Sequence, residues 1–285
     1  MSTSIPFILA ITLWSQDAGA SKLNETQVAQ VVQQYGQEQV EKYEFYLDEA
    51  HTKKLELVEK PVMRWTADGN LGAVWVWTRQ GRAEVIGCLG AFTNSSGQLE
   101  GFHEFHSLTL KPLAKVEIGT VRSWESRGPG VVPKLLDNAP DPAATEKMRL
   151  VQMRSLAREF TGHMQAGKQT HELRLTPTPL FRFSSTNPDV FDGALFSYLW
   201  DNGTDPEFLL LLEARQTEQG LRWHFSPVRF TWREVWLTHN SREVWRGNLH
   251  SEFHTSRILR DCYVTCETGP LNLNTPGRKL QPTGR

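Results

Sequence analysis

The run GAVWVWTRQGRAEVIG, residues Gly72–Gly87, decides how the chain folds. Two apolar, aromatic stretches flank Gln80-Gly81, a turn signal between two strands. The same grammar extends on either side, through Val62–Thr66, Leu71–Thr78, Ala83–Phe92 and Phe102–Leu110, with turns at Asp68-Gly69 and Ser96-Gly97. That order predicts an antiparallel meander.

Ahead of the meander, Val28, Val31, Val32 and Tyr35 recur at three- and four-residue spacing, and Val40, Tyr43 and Leu47 continue the stripe. This predicts a helical segment from Asn24 to about Lys60, with Asn24 or Thr26 as its cap. Residues 111–142 hold Pro112, Pro129, Pro133, Pro140 and Pro142 and support no period, which predicts a long surface connection. A second helix is expected from Ala143 to Gln165, with Leu150, Met153, Ala157 and Phe160 on one stripe. Strand patterns return between Glu172 and Arg246, and the segment 247–285 is expected to be a largely irregular tail.

The two halves, 21–110 and 143–246, look alike. Pro61-Val-Met-Arg64-Trp65 precedes Gly72-Ala-Val-Trp-Val-Trp77, just as Pro179-Leu-Phe-Arg182-Phe183 precedes Gly193-Ala-Leu-Phe-Ser-Tyr198. An internal duplication and independent selection by the same pleat both account for this. Either way the expected class is α+β, with helices packed on one face of curved antiparallel sheet.

Composition narrows the function classes. The chain has 285 residues, 31 Lys plus Arg against 32 Asp plus Glu, and ten Trp beside five Tyr. A net charge of −1 removes the electrostatic basis for binding nucleic acid. The apolar run Ile5–Trp14, followed by Ala18-Gly19-Ala20, predicts a signal peptide over residues 1–20, hence an exported, periplasmic or secreted protein. No stretch has the 18 or so consecutive apolar residues of a membrane-spanning helix.

The segments GAVWVWTRQGRAEVIG, FHEFHSL, MRLVQMRSLAREFTGH, ELRLTPTPLFRF, DGALFSYLWDNGTDPEFLLLLEAR and REVW resemble an uncharacterised family of exported bacterial proteins common in planctomycetes. The resemblance covers about two thirds of the chain and implies export and a shared fold. It brings no activity, so it assigns no catalytic residue.

Several groupings could carry chemistry. On a strand, Phe102, Glu104, His106 and Leu108 share a face, and a carboxylate beside an imidazole makes Glu104 and His106 a candidate acid/base pair. A structural polar pair is the competing reading. His224 is a loose counterpart in the second half. Arg64 and Arg182, equivalent in the two meanders, could bind a carboxylate or phosphate, or pair structurally with Glu84 and Glu207. His250, His254, Cys262 and Cys266 form the one metal-like grouping, although the Cys spacing is not the usual one for zinc, and no cofactor is expected. Arg149, Arg154, Arg158 and Glu159 fit a solvated helix face with local ion pairs better than an anion site.

These residues support a non-enzymatic module that binds a small molecule or an envelope partner. The alternatives are a hydrolase-like acid/base enzyme using the Glu/His pair in a sheet cavity, and an envelope structural protein.

Overall fold

The computed structural model describes residues 24–119, 122–251 and 256–271. The expected signal segment, His254 and the end of the chain lie outside them.

Helix α1 (Glu25–Val40) begins where the cap signal placed it. The Asn24 side chain accepts from the Gln27 amide and the Gln27 side chain accepts from the Asn24 amide, a reciprocal capping box. The first sheet is built from β1 (Glu56–Leu57), β2 (Met63–Ala67), β3 (Asn70–Arg79), β4 (Arg82–Thr93), β5 (Leu99–Ser107) and β18 (Tyr263–Pro270). Its order is β1-β3-β4-β5-β18, with β2 also on β3. Two of the three turns read from sequence are two-residue hairpins: Asp68-Gly69 and Gln80-Gly81 take φ of 48°, 79°, 51° and 83°, the left-handed pair that closes such a turn.

After β6 (Val116–Ile118), β7 (Arg122–Trp124) and β8 (Lys134–Leu135) comes α2 (Glu146–Ala157), capped by Thr145. The second sheet uses β9 (Phe160–Ala166), β10 (Gln169–Leu175), β11 (Phe181–Ser184), β12 (Val190–Leu199), β13 (Pro206–Thr217), β14 (Gly220–Arg229), β15 (Val235–His239) and β16 (Arg242–Gly247). Its order is β16-β15-β9-β10-β12-β13-β14-β8, with β11 on β12. The sheet curls into a half-barrel whose two edges approach one another. Lys134 Nζ on β8 donates to the Val244 carbonyl on β16 at 2.8 Å. A small third sheet joins β17 (Ile258–Leu259) in parallel to β7 and β7 in antiparallel to β6.

This architecture corrects the expected class. The described residues form eighteen strands and two helices, so the protein is mostly β and is not an α+β fold with helices layered on one face. The reason lies in β12 and β13, which are buried on both sides. Leu209 and Leu211 face the first sheet together with Val74, Val76 and Ile86. Leu210 and Leu212 face the inside of the half-barrel with Phe196, Tyr198 and Phe225, where α2 inserts Met153, Leu156 and Ala157. One face is therefore covered by sheet and the other by the curl of the same sheet, so a helical layer has nothing left to cover.

Four boundaries also move. Helix α1 stops at Val40, well short of the expected end near Lys60. Helix α2 stops at Ala157, and Phe160, Gly162 and Met164, buried at every second position, continue as strand β9. The connection 111–142 carries three short strands. Tyr263–Pro270, inside the segment expected to be irregular, pairs with β5 along its length. No helix among the described residues is long and apolar enough to cross a membrane.

The likeness of the two halves has a local structural counterpart. Trp65 on β2 pairs with Gly72 on β3, and Phe183 on β11 pairs with Gly193 on β12. In each case the ring lies over the glycine. A Cβ added at Gly72 would stand 2.6 Å from the Trp65 ring, and one at Gly193 would stand 2.4 Å from the Phe183 ring.

Candidate functional site

The two sheets meet face to face, and polar groups enter that interface at its two ends. At one end, Arg82 is buried at the start of β4. Its Nε donates to Glu213 Oε1 at 2.7 Å, and one Nη donates to Glu84 Oε2 at 2.7 Å and to the Leu108 carbonyl at 3.0 Å. Arg215 donates to the second oxygen of Glu213 at 2.9 Å. Two arginines thus face two carboxylates, and the end is closed.

The other end is a cleft of about 310 Å³, lined by Glu104 from β5, Asp205 and Glu207 at the head of β13, Arg233, and the rings of Trp65, Phe92, Phe102, Phe230 and Trp232. Glu207 and Glu213 stand six residues apart on β13, so the two ends are about 20 Å apart along the strand. The rim of the cleft is pinned where the turn after β12 touches β2: the Thr204 amide donates to the Thr66 carbonyl at 2.9 Å.

Charge is balanced differently in the cleft. Arg233 approaches Glu207 only to 3.9 Å. Its guanidinium lies 5.3 Å above Trp200 and 4.9 Å above Trp232, so the two indoles hold it at the mouth. Glu104 accepts from the Tyr263 hydroxyl on β18, and the Arg229 guanidinium sits 5.7 Å above the Tyr263 ring. Asp205 has no hydrogen bond or ion pair with any described residue.

Burial, the dominant cause for all three acids, pushes Glu104 up to about 8, against lowering by Tyr263. Asp205 is held well above the usual carboxylate range by burial and by the charges of Glu207 and Glu104. Glu207 is raised by burial, with Arg233 and Thr231 opposing. At neutral pH Glu104 retains a proton that it would lose in water.

The sequence-derived candidates are distributed over the molecule. Glu104 lines the cleft. His106, two residues on, does not, and the expected acid/base pair is not assembled. Its Nδ1 lies 2.7 Å from the Ser107 carbonyl and its Nε2 lies 3.7 Å from Cys262 Sγ, while Glu104 turns to Tyr263. Burial pushes the His106 imidazole down to about 4. His224 is opposite Glu213, at the closed end.

Arg182 donates to Asp192 at 2.9 Å and to the Glu146 carbonyl at 2.9 Å, and Arg149 holds the same Asp192 at 2.6 Å. The pairings expected for Arg64 and Arg182 do not form, because Glu84 is taken by Arg82 and Glu207 faces Arg233. Arg64 is exposed beside a groove between α1 and β2.

The metal-like grouping does not come together either. Cys262 and Cys266 are four residues apart on extended chain, about 13 Å, which separates them too far for a disulfide or a shared ion. Both are free thiols, as is Cys88. His250 Nδ1 lies 3.6 Å from Asp261. Among the described residues no group of three or more His, Cys, Asp or Glu side chains is arranged to hold a metal ion.

A larger cavity, about 590 Å³, lies between α1 and the β5–β18 edge, over His103. Its polar floor is satisfied internally. Tyr43 Oη is 2.5 Å from His103 Nδ1 and accepts from the Gly119 amide at 3.1 Å, and Tyr35 Oη is 2.8 Å from Nε2 and 2.5 Å from Thr268 Oγ1. One proton assignment satisfies the whole chain: Tyr43 donates to Nδ1, Nε2–H donates to Tyr35, and Tyr35 donates to Thr268. Burial pushes His103 down to about 3, so it is neutral. The inter-sheet cleft, with its excess of carboxylates, is the chemically demanding site.

Asp205, Glu207 and Arg233 were missed as cleft residues, and Tyr263 was missed as the partner of Glu104. One signal was available for the acids: Asp205-Pro206-Glu207 stands at the head of the continuous apolar run Phe208–Leu212, where a strand buried on both faces leaves a carboxylate little water. Comparison with protein-family models, curated proteins and solved structures returned no match.

Proposed function

We propose that the protein is a small-molecule-binding module, exported from the cytoplasm, whose inter-sheet cleft takes an organic cation with an apolar body. The observation that carries this reading is the contrast between the two ends of one interface. At the closed end, Arg82 and Arg215 neutralise Glu84 and Glu213 at hydrogen-bond distance. In the cleft, Glu104, Asp205 and Glu207 share one ion pair, at 3.9 Å. A ligand ammonium group supplies the missing countercharge. The rings of Trp65, Phe102, Phe230 and Trp232 cover its hydrocarbon part and contribute cation–π attraction.

Binding a cation favours the ionised carboxylates, so it expels the protons that burial retains on them. Affinity therefore rises with pH through the Glu104 transition near 8, until the ligand amine itself loses its proton.

The test is a thermal-shift screen of the full chain against primary amines, quaternary ammonium compounds, sugars and carboxylates. Amines and ammonium compounds are expected to raise Tm, and Glu207→Gln to remove the shift. Stabilisation by sugars or carboxylates alone would overturn the ligand class. Turnover of a neutral ester or glycoside that disappears in Glu104→Gln would favour the acid-catalyst reading, with Glu104 as proton donor.

A further inference from the structure

Helix α2 and its C-cap together carry three arginines, and only one is accounted for. Arg149 is buried and fixed on Asp192, with further donation to the carbonyls of Ala143 and Ala144. Arg154 and Arg158 follow, one turn apart on the last part of the helix. The local ion pairs expected for them are not made. Glu159, the nearest acid in sequence, pairs with His239 at 3.0 Å instead. Neither guanidinium has a hydrogen-bond or ion-pair partner among the described residues, and Arg154 Nε is fully buried without an acceptor.

Both side chains line a cavity of about 240 Å³, completed by Leu175, Thr176, Pro177 and Phe196. Among the described residues, no acidic side chain lines it. Thr176 already donates to the Thr178 carbonyl at 3.0 Å, so the two guanidinium groups are the donors left to serve the cavity. Bases near a helix C-terminus complement its dipole, which gives each arginine a weak structural reason. The dipole does not explain the buried Nε, and two like charges at i, i+4 repel. A buried donor without an acceptor destabilises the fold, and more so when it is charged. An anion shared between the two forks removes both penalties.

We propose that this cavity is an oxyanion site, bound through the phosphate group of an inorganic phosphate or a phosphate monoester. Planar guanidinium groups match phosphate oxygens in pairs of parallel hydrogen bonds, and Leu175, Pro177 and Phe196 form an apolar wall beside them. The site is independent of the acidic inter-sheet cleft, which has the opposite charge preference.

Isothermal titration of the full chain with inorganic phosphate, and separately with phenyl phosphate, tests this. Saturable binding is expected for at least one of them. Arg158→Gln, at an exposed position, should weaken it by about tenfold or more, the loss of one charge-assisted contact, while leaving the thermal unfolding of the unliganded protein unchanged. Arg154→Gln should weaken it further. Tighter binding of phenyl phosphate identifies a monoester as the ligand, and equal binding identifies the free ion. Absence of saturable binding of either compound to the unaltered chain, or binding to Arg158→Gln equal to it, overturns the proposal.

Discussion

Arg82 and Glu213 are joined at 2.7 Å across the two sheets, both almost completely withdrawn from water. They come from opposite sides of the interface, β4 and β13, so the pair fixes how one sheet is placed on the other. A buried guanidinium shared by two glutamates is costly to desolvate, but more costly to break. Replacing Arg82 by Met strands Glu84 and leaves Glu213 with Arg215 alone, and should lower stability by about 3–5 kcal/mol in urea denaturation. Replacing Arg82, Glu84 and Glu213 together with apolar residues should recover most of that loss. Equal losses in the single and triple variants would show that packing, and not charge, governs this end.

The two glycine–aromatic pairs should respond alike. Gly72→Ala and Gly193→Ala each push a methyl group into the ring of Trp65 or Phe183. A cost of about 1–3 kcal/mol is expected at each position, from thermal or urea unfolding, because the ring must leave its place against the core. A neutral effect at either site would mean that the ring yields freely, and that the two pairs are not equivalent supports.

Stability should fall between about pH 6.5 and 8. Burial holds Glu104 at about 8 and Glu84 at about 7, against an ordinary value of 4.5, so in this window the folded chain binds more protons than the unfolded one. The derivative of unfolding free energy with pH is then negative. Asp205 and Glu207, also raised, act in the same direction. The buried histidines work on the acid side. His103 at about 3 and His106 at about 4 are neutral when folded and charged when unfolded below 6.5, so they make stability fall as pH drops. Urea midpoints across pH 4–9 check this, with Glu104→Gln expected to flatten the alkaline limb. A rise in stability from pH 6.5 to 8 would contradict it.

Much of the strand order was legible because turns have a local cause. Asp68-Gly69 and Gln80-Gly81 each place two residues at positive φ, and such turns are written in the residues that tolerate it. Glu104 was legible as a polar group on an apolar strand face. Its partner was not, because Tyr263 lies 159 residues away on a strand that the Gly- and Thr-containing end of the chain does not announce. The class was misjudged for a related reason. The run Leu209–Leu212 carries apolar residues at consecutive positions, a sign of burial on both faces, and the surfaces that bury it belong to distant strands. Phe160 fits the helical stripe that runs through Met153 and Ala157, and only its pairing with β15 makes it strand. Which of Arg149, Arg154 and Arg158 is neutralised depends on Asp192, and sequence spacing does not place it.

The most direct measurement compares phenethylamine with phenethyl alcohol, which share a ring and differ in charge, by isothermal titration against the full chain at about pH 6 and pH 8. The amine is expected to bind, more tightly at the higher pH as Glu104 near 8 ionises, and with proton release visible as a dependence of the heat on the buffer. Asp205→Asn and Glu207→Gln should each weaken it by about tenfold or more, the loss of a charge-assisted contact. The alcohol should bind far more weakly. Equal binding of amine and alcohol, or amine binding indifferent to Asp205, Glu207 and pH, would contradict a cation-binding cleft between the sheets.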